Sequence, residues 1–184
     1  RRPPHRVRMP ALSRHEAPLP APLLDELCAF WEQTFRTPYD AFRRVLLGAE
    51  SGFNRDVVWV MREQGELAGT CHLTTPEAEP RLGGLGEVAT EVRFRRRGIA
   101  AELCSLAREE FLQRGGRALF LGTGNPEAAR VYHSLGWRKV AGTKLMSLTG
   151  AGESTSGFLE AHFGKGGGTV IEPMTPAARV PMIP

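Results

Sequence analysis

Arg95-Arg96-Arg97-Gly98-Ile99-Ala100 is the stretch of this chain best suited to holding an anion. It joins a β-rich segment, Glu87–Val92, to an amphipathic helix expected over Gly98–Arg114, with Ile99, Leu103, Leu106 and Phe111 on one face. The first N–H groups of a helix have no acceptor within it and carry the positive end of the helix dipole. The backbone N–H groups of residues 96–101 would therefore form a cradle suited to a pyrophosphate. Gly98 lets a ligand approach the backbone, Ala100 and Ala101 keep the approach clear, and the Arg side chains add charge. Read by itself, the same segment also fits a charged loop before an ordinary helix.

A second segment, Leu119 to Trp137, reads as strand, turn, helix and strand. Asn125 caps the helix and Pro126 occupies its first position. Tyr132 lies two helical turns after Asn125, so the two share a face. Three glycine-rich stretches lack the setting for phosphate binding. Gly84-Leu85-Gly86 precedes a strand instead of a helix, Gly122-Thr123-Gly124 is followed by Glu127 at the third glycine position, and Gly164–Thr169 lacks the Ser/Thr of a P-loop.

The elements that must position these groups follow from periodicity and breakers. A short strand is expected near His5–Met9, with residues 10–20 extended or in a loop. Helices are expected from Pro22 to Phe35 and through Phe42–Leu46, broken by Pro38 and stopped by Gly48. Val57–Glu63 and Glu66–Thr74 form a hairpin about Gln64-Gly65, and a loop with Gly83, Gly84 and Gly86 leads to the strand Glu87–Val92. After the Gly98 helix come a short strand (117–121), the helix 126–135 stopped by Gly136, and strands 137–141 and 144–149. The order β-αα-βββ-α-β-α-ββ predicts a mixed α/β sheet with helices on its faces. Residues 150–184, rich in Gly and Pro, are expected to be a tail or linker that could lead into a further domain, with a turn of helix near Phe158–Phe163.

Together the two segments resemble the GNAT superfamily of N-acetyltransferases. Arg95-Arg96-Arg97-Gly98-Ile99-Ala100 is similar to that family's R/Q-x-x-G-x-G/A acetyl-CoA signature, within the longer stretch VATEVRFRRRGIA. NPEAARVYHSLGW is similar to its N-x-x-A-x-x-x-Y-x-x-x-G-[FW] segment. Val92 stands where the family often has Pro. The likeness follows the element order over residues 5–149 and implies a mostly antiparallel sheet splayed between its fourth and fifth strands, with 1–149 as the acyltransferase domain. It further implies that Val88, Ala89 and Thr90 pair with the pantetheine arm, that Arg95, Arg96, Arg97, Gly98, Ile99, Ala100 and Ala101 hold the pyrophosphate, and that Asn125 contacts the pantetheine. Tyr132 would sit beside the thioester sulfur.

The implied activity is transfer of an acetyl or other short acyl group from acetyl-CoA to a primary amine by direct attack on the thioester. An amine must lose a proton before it attacks, and the leaving thiolate must gain one. Tyr132 is the candidate acid. Glu87 is the candidate base, directly or through water, with Glu91 on the same strand parity as the alternative. Cys71, His72 and His133 are further polar groups that could line the cleft. The regions expected to shape the acceptor pocket, 22–48 and 75–86, carry mixed charge and select no particular amine, whether a small molecule or a peptide.

Composition narrows the remaining classes. The 184 residues are 41% hydrophobic and 24% charged with net charge +4, as for one globular domain. The three cysteines lie far apart and the five histidines are scattered, so neither a disulfide framework nor a metal site is expected. No apolar run approaches the ~20 residues of a membrane span, and a cytoplasmic protein, monomeric or homodimeric, is expected. Apart from Phe94, the Arg clusters at residues 1–14 and 93–97 lack interleaved aromatics, so no nucleic-acid partner is expected. A CoA-binding sensor without turnover, or an acyltransferase module of a longer polypeptide, are the alternatives.

Overall fold

The structure is a computed structural model describing residues 10–150, 152–164 and 171–180. Its sheet is built from β1 (Ala11–Glu16), β2 (Asn54–Glu63), β3 (Glu66–Pro76), β4 (Leu82–Thr90), β5 (Ala118–Gly122), β6 (Arg138–Lys139) and β7 (Leu145–Thr149). The strand order is β1-β2-β3-β4-β5-β7-β6, and every neighbouring pair is antiparallel except β4–β5. This is the expected mixed, mostly antiparallel sheet.

Strand alternation divides the apolar residues between two faces. Val57, Trp59, Met61, Cys71 and Leu73 pack under α3 (Ile99–Gln113) and α4 (Pro126–Ser134), together with Leu103, Phe111, Tyr132 and Trp137. Val58, Val60 and Ala89 pack on the other face against α1 (Ala21–Phe35), α2 (Asp40–Arg44) and the turn Val45–Ala49, through Leu24, Leu27, Trp31, Tyr39 and Leu46. At Gly69 of β3 an added Cβ would lie 2.5 Å from Ile99 Cγ2, so the missing side chain lets the first turn of α3 sit directly on the sheet.

Several boundaries differ from expectation. The strand expected near His5–Met9 lies outside the described residues, and the edge strand forms at Ala11–Glu16, which was expected to be extended or loop. The glycine-rich stretch 82–86 is not loop but the first half of β4. Gly83 is tolerated there because Phe111 and Leu119 occupy the space a Cβ would need, at 2.8 and 2.7 Å. The connection is therefore only residues 77–81. β4 ends at Thr90, and Val92–Phe94 forms a 3-10 turn.

Within the segment expected as a tail, α5 (Thr155–Phe163) buries Phe158 with Leu82, Ala118, Phe120 and Val180. Residues Pro176–Arg179 form a 3-10 turn, and Asn54 Nδ2 donates to the Pro176 carbonyl at 2.8 Å. Within this segment α5 and Pro176–Val180 are thus packed against the sheet, while residues 171–175 are exposed. No helix among the described residues is long and apolar enough to cross a membrane.

Candidate active site

The sheet opens between β4 and β5. Their parallel pairing covers only Leu82–Gly84 against Ala118–Phe120, after which β4 continues along β3 alone. The cause is a bulge: His72 pairs with Gly86 and Thr70 with Ala89, so β4 spends one extra residue at Glu87–Val88. Glu87 takes φ +44°, and its carbonyl accepts a 2.7 Å hydrogen bond from the Thr70 hydroxyl, which itself accepts from Trp31 Nε1 at 2.9 Å. Beyond the bulge the Glu91 N–H donates to the Ala68 carbonyl. By alternation, the backbone groups of Val88 and Thr90 then point away from β3 into the gap, while Ala89 faces β3 and is buried.

The segment expected to form an anion cradle stands at the end of this gap. Arg96 and Gly98 both adopt left-handed φ, +63° and +82°, and turn the backbone into the start of α3. Gly98 is the N-cap without a side-chain cap, and the first intrahelical bond is Glu102 N–H to the Gly98 carbonyl. The N–H groups of Ile99, Ala100 and Ala101 therefore have no partner in the helix. A Cβ at Gly98 would meet nothing within 4 Å, so the approach is open. Arg97 pairs with Glu63 at 2.9 Å, and Arg95 Nε donates to the Thr90 carbonyl at 3.3 Å. These residues fit an acyl-CoA pyrophosphate: unpaired helix-start donors and open space lie beside the cationic run Arg95–Arg97.

Asn125 caps α4, its Oδ1 accepting from the N–H groups of Glu127 and Ala128 at 2.9 and 3.4 Å. Its amide nitrogen is left for other partners. Tyr132 is buried with its ring 6.3 Å from that of Trp137. Burial, with the Cys104 and Cys71 thiols nearby, pushes its pKa upward, so the phenol keeps its proton at neutral pH.

The carboxylate of Glu87 reaches the opposite face of the sheet. It meets His72 Nδ1 at 2.9 Å, and His72 Nε2 meets Asp56 Oδ1 at 2.8 Å. Burial opposes a charge on His72, but the hydrogen bonds to Asp56 and Glu87 outweigh it and raise its pKa to about 9. Burial likewise opposes the Asp56 carboxylate, and the bonds from His72 and the Arg179 charge still hold its pKa below the usual range. The Tyr39 hydroxyl faces the same Glu87 carboxylate, and burial together with that negative charge pushes its pKa up.

Glu91 lies beyond the strand end, 3.8 Å from Arg93 Nε. The bulge also breaks the shared parity expected for Glu87 and Glu91, because one extra residue intervenes. Cys71 points to the α3 face and is fully buried there, and His133 is exposed on α4. His72, expected only as a cleft residue, is the centre of a charge chain. The chain's other members Asp56, Tyr39 and Arg179 had no signal in local motifs. Among the described residues no group of three or more His, Cys, Asp or Glu side chains is arranged to hold a metal ion.

Comparison with known proteins agrees with this geometry. A family model described as acetyltransferase (GNAT) family matches residues 22–137. No curated protein sequence matches the chain. Among solved structures, a GNAT-family acetyltransferase from Staphylococcus aureus Mu50 superposes with a TM-score of 0.59 at 15% identity, covering 76% of this chain and 99% of its own. The ribosomal-protein-S18-alanine N-acetyltransferase from Escherichia coli gives 0.59 at 16% identity, over 79% of this chain and 99% of its own. The GNAT family N-acetyltransferase YhbS from Escherichia coli, in complex with CoA, gives 0.57 at 16%, over 76% and 81%. With a family match over most of the chain and the splayed β4–β5 gap leading to an open helix start, this protein belongs to the GNAT acetyltransferase family.

Proposed function

We propose that this protein transfers an acetyl or short acyl group from CoA to a primary amine by direct attack on the thioester. The observation that carries the reading is the bulge at Glu87: one carboxylate on the splayed strand, held by His72, beside a gap into which the backbone of Val88 and Thr90 points. Acetyl-CoA, when bound, supplies the activated acyl group. The N–H groups of residues 96–101 hold its pyrophosphate, and the backbone of Val88–Thr90 aligns its amide-bearing arm, with the Asn125 amide nitrogen available on the other wall. Glu87 accepts the proton of the incoming ammonium, directly or through one water.

Tyr132 holds a proton at its phenolic oxygen for the departing sulfur. Its upward-shifted pKa guarantees that the proton is present, and also makes complete transfer more uphill than for a free phenol. Its contribution is therefore a hydrogen bond that strengthens as negative charge develops on sulfur.

The test is thiol release from acetyl-CoA against spermidine, kanamycin and an N-terminal alanyl peptide, followed by Glu87→Gln and Tyr132→Phe with the fastest amine. Each variant should lose roughly 10²-fold or more in single-turnover rate while keeping its affinity for CoA. CoA binding without thiol release across the panel would instead mark a sensor. Parental rates in either variant would remove that residue's role.

A further inference from the structure

The chain of charges that ends at Glu87 does not begin in the matched domain. Arg179 Nη2 donates to Asp56 Oδ1 and Oδ2 at 2.8 and 3.1 Å and to Thr74 Oγ1 at 2.9 Å, and it lies 3.5 Å from Glu50. Asp56 then meets His72, and His72 meets Glu87. The Arg179 backbone is held on both sides, by the Asn54–Pro176 hydrogen bond and by Val180, which is 1% exposed among Leu82, Ala118, Phe120 and Phe158.

His72 is flanked by two carboxylates, Asp56 from β2 and Glu87 from β4, with the Phe42 ring edge-on from α2 and Tyr39 on the far side of Glu87. With His72 protonated that trio carries one net negative charge in a buried place. Arg179 sets a positive charge against Asp56 on the side away from Glu87, and shares that charge with Glu50. Without it, the uncompensated Asp56 carboxylate would draw the His72 N–H more strongly and loosen the hold on Glu87.

We infer that Arg179 is a positioning residue for Glu87, acting through Asp56 and His72, and that the segment Pro176–Val180 is therefore part of the working active site. This rests on the reading of Glu87 as the base. Arg179 and its segment lie outside the family match, which ends at residue 137, while Asp56, His72 and Glu87 lie within it.

The experiment uses the full chain with Arg179→Met, Arg179→Gln, Arg179→Lys and Glu87→Gln. It measures kcat and KM with the fastest amine of the panel, and the His72 imidazole titration by NMR in the free protein. In Arg179→Met, kcat should fall roughly tenfold to a hundredfold with KM for acetyl-CoA within about twofold, as for a misplaced catalytic group. The His72 titration should move upward by a few tenths to about one unit, because a neighbouring positive charge is gone. Arg179→Lys should recover most of both. If Arg179→Met does not fold, Arg179→Gln, which keeps donors without charge, gives the same reading. A folded neutral variant with parental kcat and an unmoved His72 titration overturns the inference, as does a lysine variant no better than methionine. Loss in Glu87→Gln beside a parental Arg179→Met overturns the Arg179 role alone. Parental turnover in Glu87→Gln overturns the base assignment, and the positioning role with it.

Discussion

In the proposed reading, the cradle at residues 95–101 and the polar chain beneath Glu87 serve one cleft with different chemistry. The cradle presents backbone N–H groups, set by two left-handed residues and the start of α3. Its donors do not titrate, and no distant residue is needed to orient them. The chain beneath Glu87 is made of side chains from the residue preceding α2, from β2, β3 and β4 and from the C-terminal turn, each ionisable group depending on the next. One half of the site should therefore be indifferent to pH and local in its requirements. The other should respond to pH and to changes far along the chain.

The largest effect expected from breaking the first half is in ligand affinity. Gly98→Glu places a negative charge at the mouth of the cradle, where it would repel a phosphate as two unit charges about 4 Å apart do. At an effective dielectric near 20 that repulsion is about 4 kcal/mol, so acetyl-CoA affinity by calorimetry should fall by about a thousandfold. The thermal stabilisation given by acetyl-CoA should vanish with it. Because φ is +82° at Gly98, Gly98→Ala separates the backbone strain, ~1 kcal/mol, from the charge. Equal affinities in the parent and the glutamate variant would break the assignment of the cradle.

A smaller effect, in stability instead of affinity, sharpens the contrast. His72→Gln leaves Asp56 and Glu87 without the cation between them, which should destabilise the fold by about 3 kcal/mol at pH 6.5, as for a broken buried ion pair. The pH dependence has a definite sign. The folded pKa of His72, about 9, is above the unfolded reference near 6.5, so its contribution is complete below that reference and is lost as pH rises through 9. Denaturant titrations between those limits should show the parent weakening and the variant flat. Acetyl-CoA affinity at pH 7 should be the same in both. A shift in that affinity comparable to the stability loss would show that the two halves are coupled.

Much of the first half was legible in the sequence because its signals are local. Arg95 to Ala101 adjoin one another, Asn125 and Tyr132 are two turns apart, and a glycine at a helix start declares itself. The second half was hidden by two bulges. Counting back from the Gln64-Gly65 turn pairs Val57 with His72, which would send Asp56 and His72 to opposite faces. A register shift between Met61 and Arg62 pairs Val58 with His72 instead, and the two side chains meet. The bulge in β4 then turns Glu87 toward them and breaks its expected parity with Glu91. Arg179 lies 123 residues from Asp56, in a segment whose composition reads as linker. Composition could not reveal that its sparse apolar residues, Phe158 and Val180, fill a hollow over Leu82 and Phe120. The expectation of a glycine loop before Glu87 failed for a related reason: Gly83 packs beneath the ring of Phe111, a contact decided by tertiary structure.

An ion cluster at the edge of the sheet measures how much burial matters to the second half. Glu110 of α3 accepts from Arg14 of β1 and Arg55 of β2, at 2.7 Å each, and Arg55 also holds Glu16. The Arg14 hydrogen bond is the main cause of a Glu110 pKa lowered to about 2; burial opposes it, and Arg55 adds to it. A depressed carboxylate contributes stability above its unfolded value near 4.5, lost as pH falls toward 2. Arg14 is 38% exposed, so solvent screens its part of the attraction, whereas Arg55 is only 9% exposed, and Glu110→Gln should cost about 1–2 kcal/mol at pH 7. The loss should shrink in high salt, because exposed charges are screened there, whereas the His72→Gln loss should change little. Denaturant titrations of both variants at low and high salt check this directly. Equal salt sensitivity in the two would mean that the chain beneath Glu87 is as open to water as the cluster on the edge, and the contrast between them would fail.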